Sequence, residues 1–268
     1  MKRILTFVLL LFAAAALAPR ESRAQTPNPG PPPSASPARE RLAVTVIQVK
    51  PEAVLEFENM IRTEINPALA KGGARWSDVW TTATFGNGFE YFIVAPIESF
   101  AQYDGPSPLM KGLGREGYGA WAARAGKLVN GLRTFAMELN PELSHQTNMT
   151  GPPKMGVLAF VTVAPGRGAE YENYTRSEML PVVKRSGVAG YWFHQSVMGG
   201  NPNEYVTLVL QDNFADLDKG PPWARVLGRE GSAKLMQKLA PGVVTHVELK
   251  FIRLMPELTY RPAQTANK

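Results

Sequence analysis

Apolar and polar residues recur along the chain with two periods, and the switches between them mark out the elements. Leu42 to Val49 is apolar and rich in β-branched residues, ends at Lys50-Pro51, and predicts a strand. From Glu52 to about Leu69 the apolar residues Val54, Phe57, Ile61 and Ile65 fall at helical spacing, and Lys71-Gly72-Gly73 supplies a glycine stop. Trp76 to Thr84 predicts a second strand, Gly86-Asn87-Gly88 a hairpin turn, and Phe89 to Ala95 a third strand. Ser99 with Gln102 has capping-box spacing and opens a second helical region, interrupted at Gly105-Pro106 and again at Gly112, Gly114 and Gly117. A last strand runs from about Leu132 to Leu139. The order is βαββαβ, and it recurs from Gly156 to Leu254.

Individual residues recur as well. Leu113-Gly114-Arg115-Glu116-Gly117 returns as Leu227-Gly228-Arg229-Glu230-Gly231, an offset of 114 residues. At that offset Pro51 falls on Pro165, Glu58 on Glu172, Arg62 on Arg176, and Glu90-Tyr91 on Glu204-Tyr205. One inserted residue then sets Pro141-Glu142-Leu143 against Pro256-Glu257-Leu258. The chain reads as one module of about 100 residues present twice, with repeat one over 41–144, a linker over 145–154 and repeat two over 155–260.

The βαββαβ order predicts an α+β fold of two tandem ferredoxin-like modules, each a four-stranded antiparallel sheet with both helices on one face. The other sheet face is bare, and bare apolar faces are unstable in water. Two copies in one chain solve this most simply by setting those faces against each other as an intrachain pseudo-dimer. On element order and the repeat, the chain from about Leu42 to Tyr260 resembles the dimeric α+β barrel superfamily, which includes antibiotic-biosynthesis-type monooxygenases and NIPSNAP-like proteins. The resemblance implies a ligand cavity between the two sheets or between sheet and helices. The Asn, Trp and His constellation of its haem-degrading members has no residue-by-residue counterpart in this sequence.

Both ends read differently. Lys2 and Arg3 precede an apolar run from Ile4 to Ala18, then Ser22-Arg23-Ala24, which predicts a cleaved signal peptide over 1–24 and a periplasmic or secreted protein, with an uncleaved N-terminal anchor as the alternative. The run is shorter than the roughly 20 residues a bilayer span needs, so no span is expected after cleavage. Residues 25–40 are rich in Pro, Ser and Ala and read as a disordered tether, as does the tail over 261–268. Removing Lys2, Arg3, Arg20, Arg23 and Glu21 leaves 25 basic against 22 acidic residues, so half of the formal +6 departs with the signal. No basic stripe remains to suggest nucleic acid as a partner. The absence of cysteine excludes disulfides and thiolate chemistry.

Strand alternation selects the side chains that would face a cavity. On the second strand of each half these are Asp78 and Trp80, and Trp192 and His194; on the last strand they are Arg133 and, in the other half, Glu248, with His246 two residues earlier. His194 suits proton transfer or hydrogen bonding to a ligand, and is equally read as a polar residue at a sheet edge. The tryptophans suit an aromatic ligand or plain core filling. His194, His246 and Glu248 invite a metal triad, but within one ferredoxin-like sheet their strands lie roughly 14 Å apart, so no metal and no cofactor is expected. Glu58 with Arg62, like Glu172 with Arg176, has i,i+4 spacing and reads as a solvated helix face. The Leu-Gly-Arg-Glu-Gly stretches read as close helix packing or as a cavity rim presenting arginine. No Gly-x-Ser-x-Gly or His-Glu-x-x-His occurs to support a hydrolase.

The expected function is binding of a small apolar or aromatic molecule in an apolar pocket walled by Trp80, Trp192 and His194. Two alternatives stand beside it. One is a cofactor-independent monooxygenase or isomerase with His194 as proton acceptor, as the resemblance implies; the other is a structural module whose interior is filled by its own side chains. Nothing in the sequence requires or excludes further oligomerisation of the pseudo-dimer.

Overall fold

The computed structural model describes residues 39–262 apart from 148 and 150; the expected signal peptide, nearly all of the tether and the end of the tail lie outside the described residues. β1 (Arg41–Val49) alternates inward and outward side chains and is flanked by β3 (Glu90–Ile97) and β4 (Val129–Leu139), both antiparallel. β2 (Asp78–Thr82) pairs with the far edge of β3, so the first half has the order β4-β1-β3-β2. In the second half, β6 (Met155–Val163), β7 (Gly190–Met198), β8 (Glu204–Gln211) and β9 (Val244–Leu254) take the order β9-β6-β8-β7.

The halves meet edge to edge as well as face to face, which closes the two sheets into a barrel of the kind the α+β barrel resemblance implies. β2 pairs with β9 through Trp80↔Leu254 and Thr82↔Ile252, and β4 pairs with β7 through Met137↔Ser196 and Leu139↔His194. Edge strands carry unpaired N–H and C=O groups, and closing an eight-stranded antiparallel barrel satisfies them while turning both bare faces inward. A short ninth strand, β5 (His145–Gln146), lies in the predicted linker and pairs with the start of β7.

Helices cover the outer face of each half. In the first, α1 (Val54–Met60) runs through a π-helical turn (Ile61–Ile65) into α2 (Asn66–Lys71); in the second, α4 (Gly168–Tyr174) runs through a π-helical turn (Thr175–Met179) into α5 (Leu180–Arg185). Pro67 and Pro181 follow the two π turns. Proline has no N–H for the i−4 carbonyl and its ring crowds that carbonyl, so a locally widened helix accommodates it without a break. The buried faces of these helices pack on outward strand residues: Phe57, Ile61, Val79 and Tyr91 in one half, Tyr171, Val183, Phe193 and Tyr205 in the other.

Glu58 and Glu172 do more than line a solvated helix face. Tyr91 donates to Glu58 Oε1 at 2.8 Å and Tyr205 donates to Glu172 Oε1 at 3.1 Å, tying helix to sheet in both halves. Arg62 lies 3.9 Å from Glu58, whereas Arg176 turns to Asn173 and Glu142.

The longer helices are α3 (Pro108–Leu128) and, after the short α6 (Ala215–Asp218), α7 (Pro222–Gln237). The repeated Leu-Gly-Arg-Glu-Gly stretch lies inside both, and its first glycine is the kink: Gly114 has φ 74° and ψ 164°, Gly228 φ 67° and ψ −176°. That backbone region is open essentially to glycine alone. Gly112 marks no interruption; it lets α3 approach α2, since a Cβ there would stand 1.9 Å from the Ala68 carbonyl oxygen. The predicted hairpin turn is wider than three residues, because Thr84 and Phe89 take φ 68° and 59° and end β2 at Thr82.

Candidate functional site

Eight strands leave an interior just wide enough to be filled by side chains or to hold one small ligand. Here the inward residues form an apolar cluster that includes Val44, Trp80, Phe135, Leu158, Val206 and Ile252. Two chambers remain within the barrel, and Phe92 and Phe160 line both, forming a septum between them. Phe135 packs edge-on against Phe160 at 6.4 Å between ring centroids.

The first chamber has a volume of about 400 Å³ and takes wall residues from all eight strands. Its lining is mainly aliphatic and aromatic. At its mouth the linker and the chain end both contribute: Gln146 accepts a hydrogen bond from Trp192 Nε1 at 3.1 Å, and Arg261 lies 2.5 Å from Asp78 Oδ2. The Arg261 guanidinium also stacks 4.7 Å from the Trp76 ring. Antiparallel bridging between Ser77 and Tyr260 holds this chain end in place, so Arg261, expected in the disordered tail, is an ordered part of the wall. Burial raises the Asp78 pKa, and Arg261 opposes that rise.

His194 is 4% exposed, which replaces the picture of a histidine open to solvent at a sheet edge; closure through β4 buries that edge. Its Nδ1 lies 3.3 Å from the Val206 carbonyl oxygen. A carbonyl only accepts, so the proton is assigned to Nδ1 and the lone pair to Nε2. Burial lowers the His194 pKa to about 4, against a weaker opposing effect of the Val206 contact, so the ring is neutral at neutral pH.

The second chamber, of about 360 Å³, lies at the opposite end and is polar. Lys250 Nζ donates to Glu90 Oε1 at 2.9 Å and Oε2 at 2.8 Å, and lies 3.3 Å from Glu248. The same ammonium sits 5.6 Å and 5.7 Å from the centres of Phe92 and Phe160, resting on the septum. Thr82 and Asn87 each donate to Glu90 at 3.2 Å.

The residues singled out from sequence therefore separate into two groups. Asp78, Trp80, Trp192 and His194 line the apolar chamber; Arg133 and Glu248 line the polar one; His246 is exposed and lines neither. Arg115 and Arg229 are exposed, and the repeated glycine stretch rims neither chamber. Among the described residues no cluster of three or more His, Asp or Glu is placed to hold a metal. The alternation argument passed over Glu90 and Glu204, although the matching Glu90-Tyr91 and Glu204-Tyr205 pairs carried the signal: a carboxylate opening an inward strand face in both halves.

No family model and no curated protein matches the sequence. Solved structures do match. An anthrone oxidase-like protein superposes with a TM-score of 0.57 at 10% identity, covering 81% of this chain and 91% of that one. A monooxygenase-like protein from Lactobacillus acidophilus NCFM gives 0.53 at 11% identity, with 83% and 96% covered. A variant of chlorite dismutase from Candidatus Nitrospira defluvii, in complex with cyanide, gives 0.50 at 8% identity, with 81% and 92% covered. At such identities the likeness is one of fold, and in fold the chain is similar to these monooxygenase-like and chlorite dismutase-like dimeric α+β barrels.

Proposed function

We propose that the protein binds one small, mainly apolar, flat molecule in the apolar chamber, with a donor group of that molecule hydrogen-bonded to His194 Nε2. The observation that carries this reading is a chamber of about 400 Å³, within the size range of ligand pockets, whose aromatic and aliphatic wall holds a neutral imidazole. A phenol or indole suits it better than a carboxylate, because the imidazole lone pair accepts a proton but repels an anion. The volume counts against a purely structural module. The reading of His194 as the proton acceptor of a monooxygenase or isomerase draws less support, since a base whose conjugate acid has a pKa of about 4 is weak at neutral pH.

The barrel is further read as an internal tandem duplication, NIPSNAP-like in arrangement, on the 114-residue offset that relates matching residues in the two halves. Export to the periplasm or the medium is inferred from Lys2, Arg3, the Ile4–Ala18 run and Ser22-Arg23-Ala24.

Calorimetric titration with 1-naphthol tests the binding reading. Saturable binding is expected, weakened about tenfold in His194→Leu, which removes the acceptor. It should be abolished in Leu158→Trp, which fills the chamber. Absence of saturable binding, or equal affinity in both variants, would overturn it.

A further inference from the structure

The polar chamber is asymmetric in a way that suggests an occupant. Glu90 and Glu204 stand 114 residues apart, each is the first residue of its strand, and each faces the interior beside β1 or β6 through Gln48↔Glu90 and Thr162↔Glu204. Glu90 is held by Lys250. The residue matching Lys250 in the first half, at the offset of 115 that applies after the insertion, is Phe135, so Glu204 has no lysine opposite it. Its Oε1 is buried without a hydrogen-bond partner among the described residues.

The cation on that side is Arg133. It lines the same chamber, lies 5.0 Å from the Phe135 ring and forms no ion pair among the described residues. Its match in the second half is Glu248, which does have a partner in Lys250. One side of the chamber thus holds a completed set of carboxylates around an ammonium. The other holds a carboxylate lacking an ammonium and a guanidinium lacking a carboxylate.

We propose that the polar chamber is a second ligand site, independent of the apolar one, that takes a small zwitterion of the α-amino-acid type, its ammonium on Glu204 and its carboxylate on Arg133. The ligand's ammonium would stand to Glu204 as Lys250 Nζ stands to Glu90. A simple cation fits less well, because it would meet Arg133 without offsetting it. A simple anion would face Glu204 and Glu248. Burial and the Glu248 charge raise the Glu204 pKa, with Arg133 and His246 opposing, as expected of a carboxylate short of a close cation.

The test is calorimetric titration of the full chain with L-alanine, and with methylammonium and acetate as the two half-ligands. L-alanine should bind saturably, both half-ligands at least about tenfold more weakly, and Glu204→Gln and Arg133→Gln should each cost about tenfold or more in affinity. Because either variant could misfold, amide spectra of the unaltered chain supply a second reading. L-alanine should shift resonances of Glu204, Arg133 and Lys250 and leave those of Trp192 and His194 in place. The proposal falls if L-alanine shows no saturable binding at millimolar concentration, if methylammonium binds as tightly, or if the shifts gather at the His194 end. None of these outcomes bears on 1-naphthol binding in the other chamber.

Discussion

The two halves of the barrel agree on the outside and differ on the inside. Outside, each has a π-helical turn before a proline, a glycine kink in the long helix and a tyrosine that donates to a helix glutamate. Glu64 with Arg124 and Glu178 with Lys238 even repeat the same helix-to-helix ion pair. Inside, Trp80 stands against His194, Phe135 against Lys250 and Arg133 against Glu248. Helix packing constrains the shell twice over, whereas the interior is one shared space that needs to be furnished only once. Differences concentrated there let each chamber be walled by unlike residues from the two halves.

The sharpest way to break this comparison is at the paired and unpaired glutamates. Lys250→Met leaves Glu90 buried without its cation and should lower stability by about 3–5 kcal/mol in urea unfolding. Glu204→Gln removes a carboxylate already short of a partner and should be neutral or stabilising; equal losses would end the claim of asymmetry.

A pH series comes next. The folded pKa of His194 is about 4 against an unfolded value of about 6.5, so the unfolded chain binds the proton more tightly. The resulting stability is complete above about pH 6.5 and is lost as pH falls towards 4, a change of at most about 3 kcal/mol. His194→Phe should flatten that part of the profile, while Trp80→Phe at the matching position should not.

Two smaller tests sharpen the likeness of the shell. Gly114→Ala and Gly228→Ala should each cost about 2 kcal/mol, because alanine is strained at both backbone positions. Tyr91→Phe and Tyr205→Phe should each cost about 1 kcal/mol by thermal unfolding. Unequal losses within either pair would show that the shell, too, differs between the halves.

Much of this was legible in the sequence because it is local. Period and punctuation place the strands, and alternation correctly turns Asp78, Trp80, Trp192, His194, Arg133 and Glu248 inward. Alternation does not give height along the barrel axis. Asp78 and Arg133 both turn inward, yet Asp78 lines the apolar chamber and Arg133 the polar one. Nor does local pattern reveal partners from distant segments, such as Arg261 for Asp78, Gln146 for Trp192 or Lys250 for Glu90. These depend on how the edges of the two halves meet, and that is settled only in three dimensions.

The seams also set the order of assembly. Both join a strand of the first half to one of the second, and β9, the last strand of the chain, supplies one of them. A nascent chain stopped before Val244 would have every helix in hand and yet leave β2 an open, sticky border. Ring closure awaits the final segment, so this polypeptide must stay soluble, or be shielded, until synthesis is all but finished.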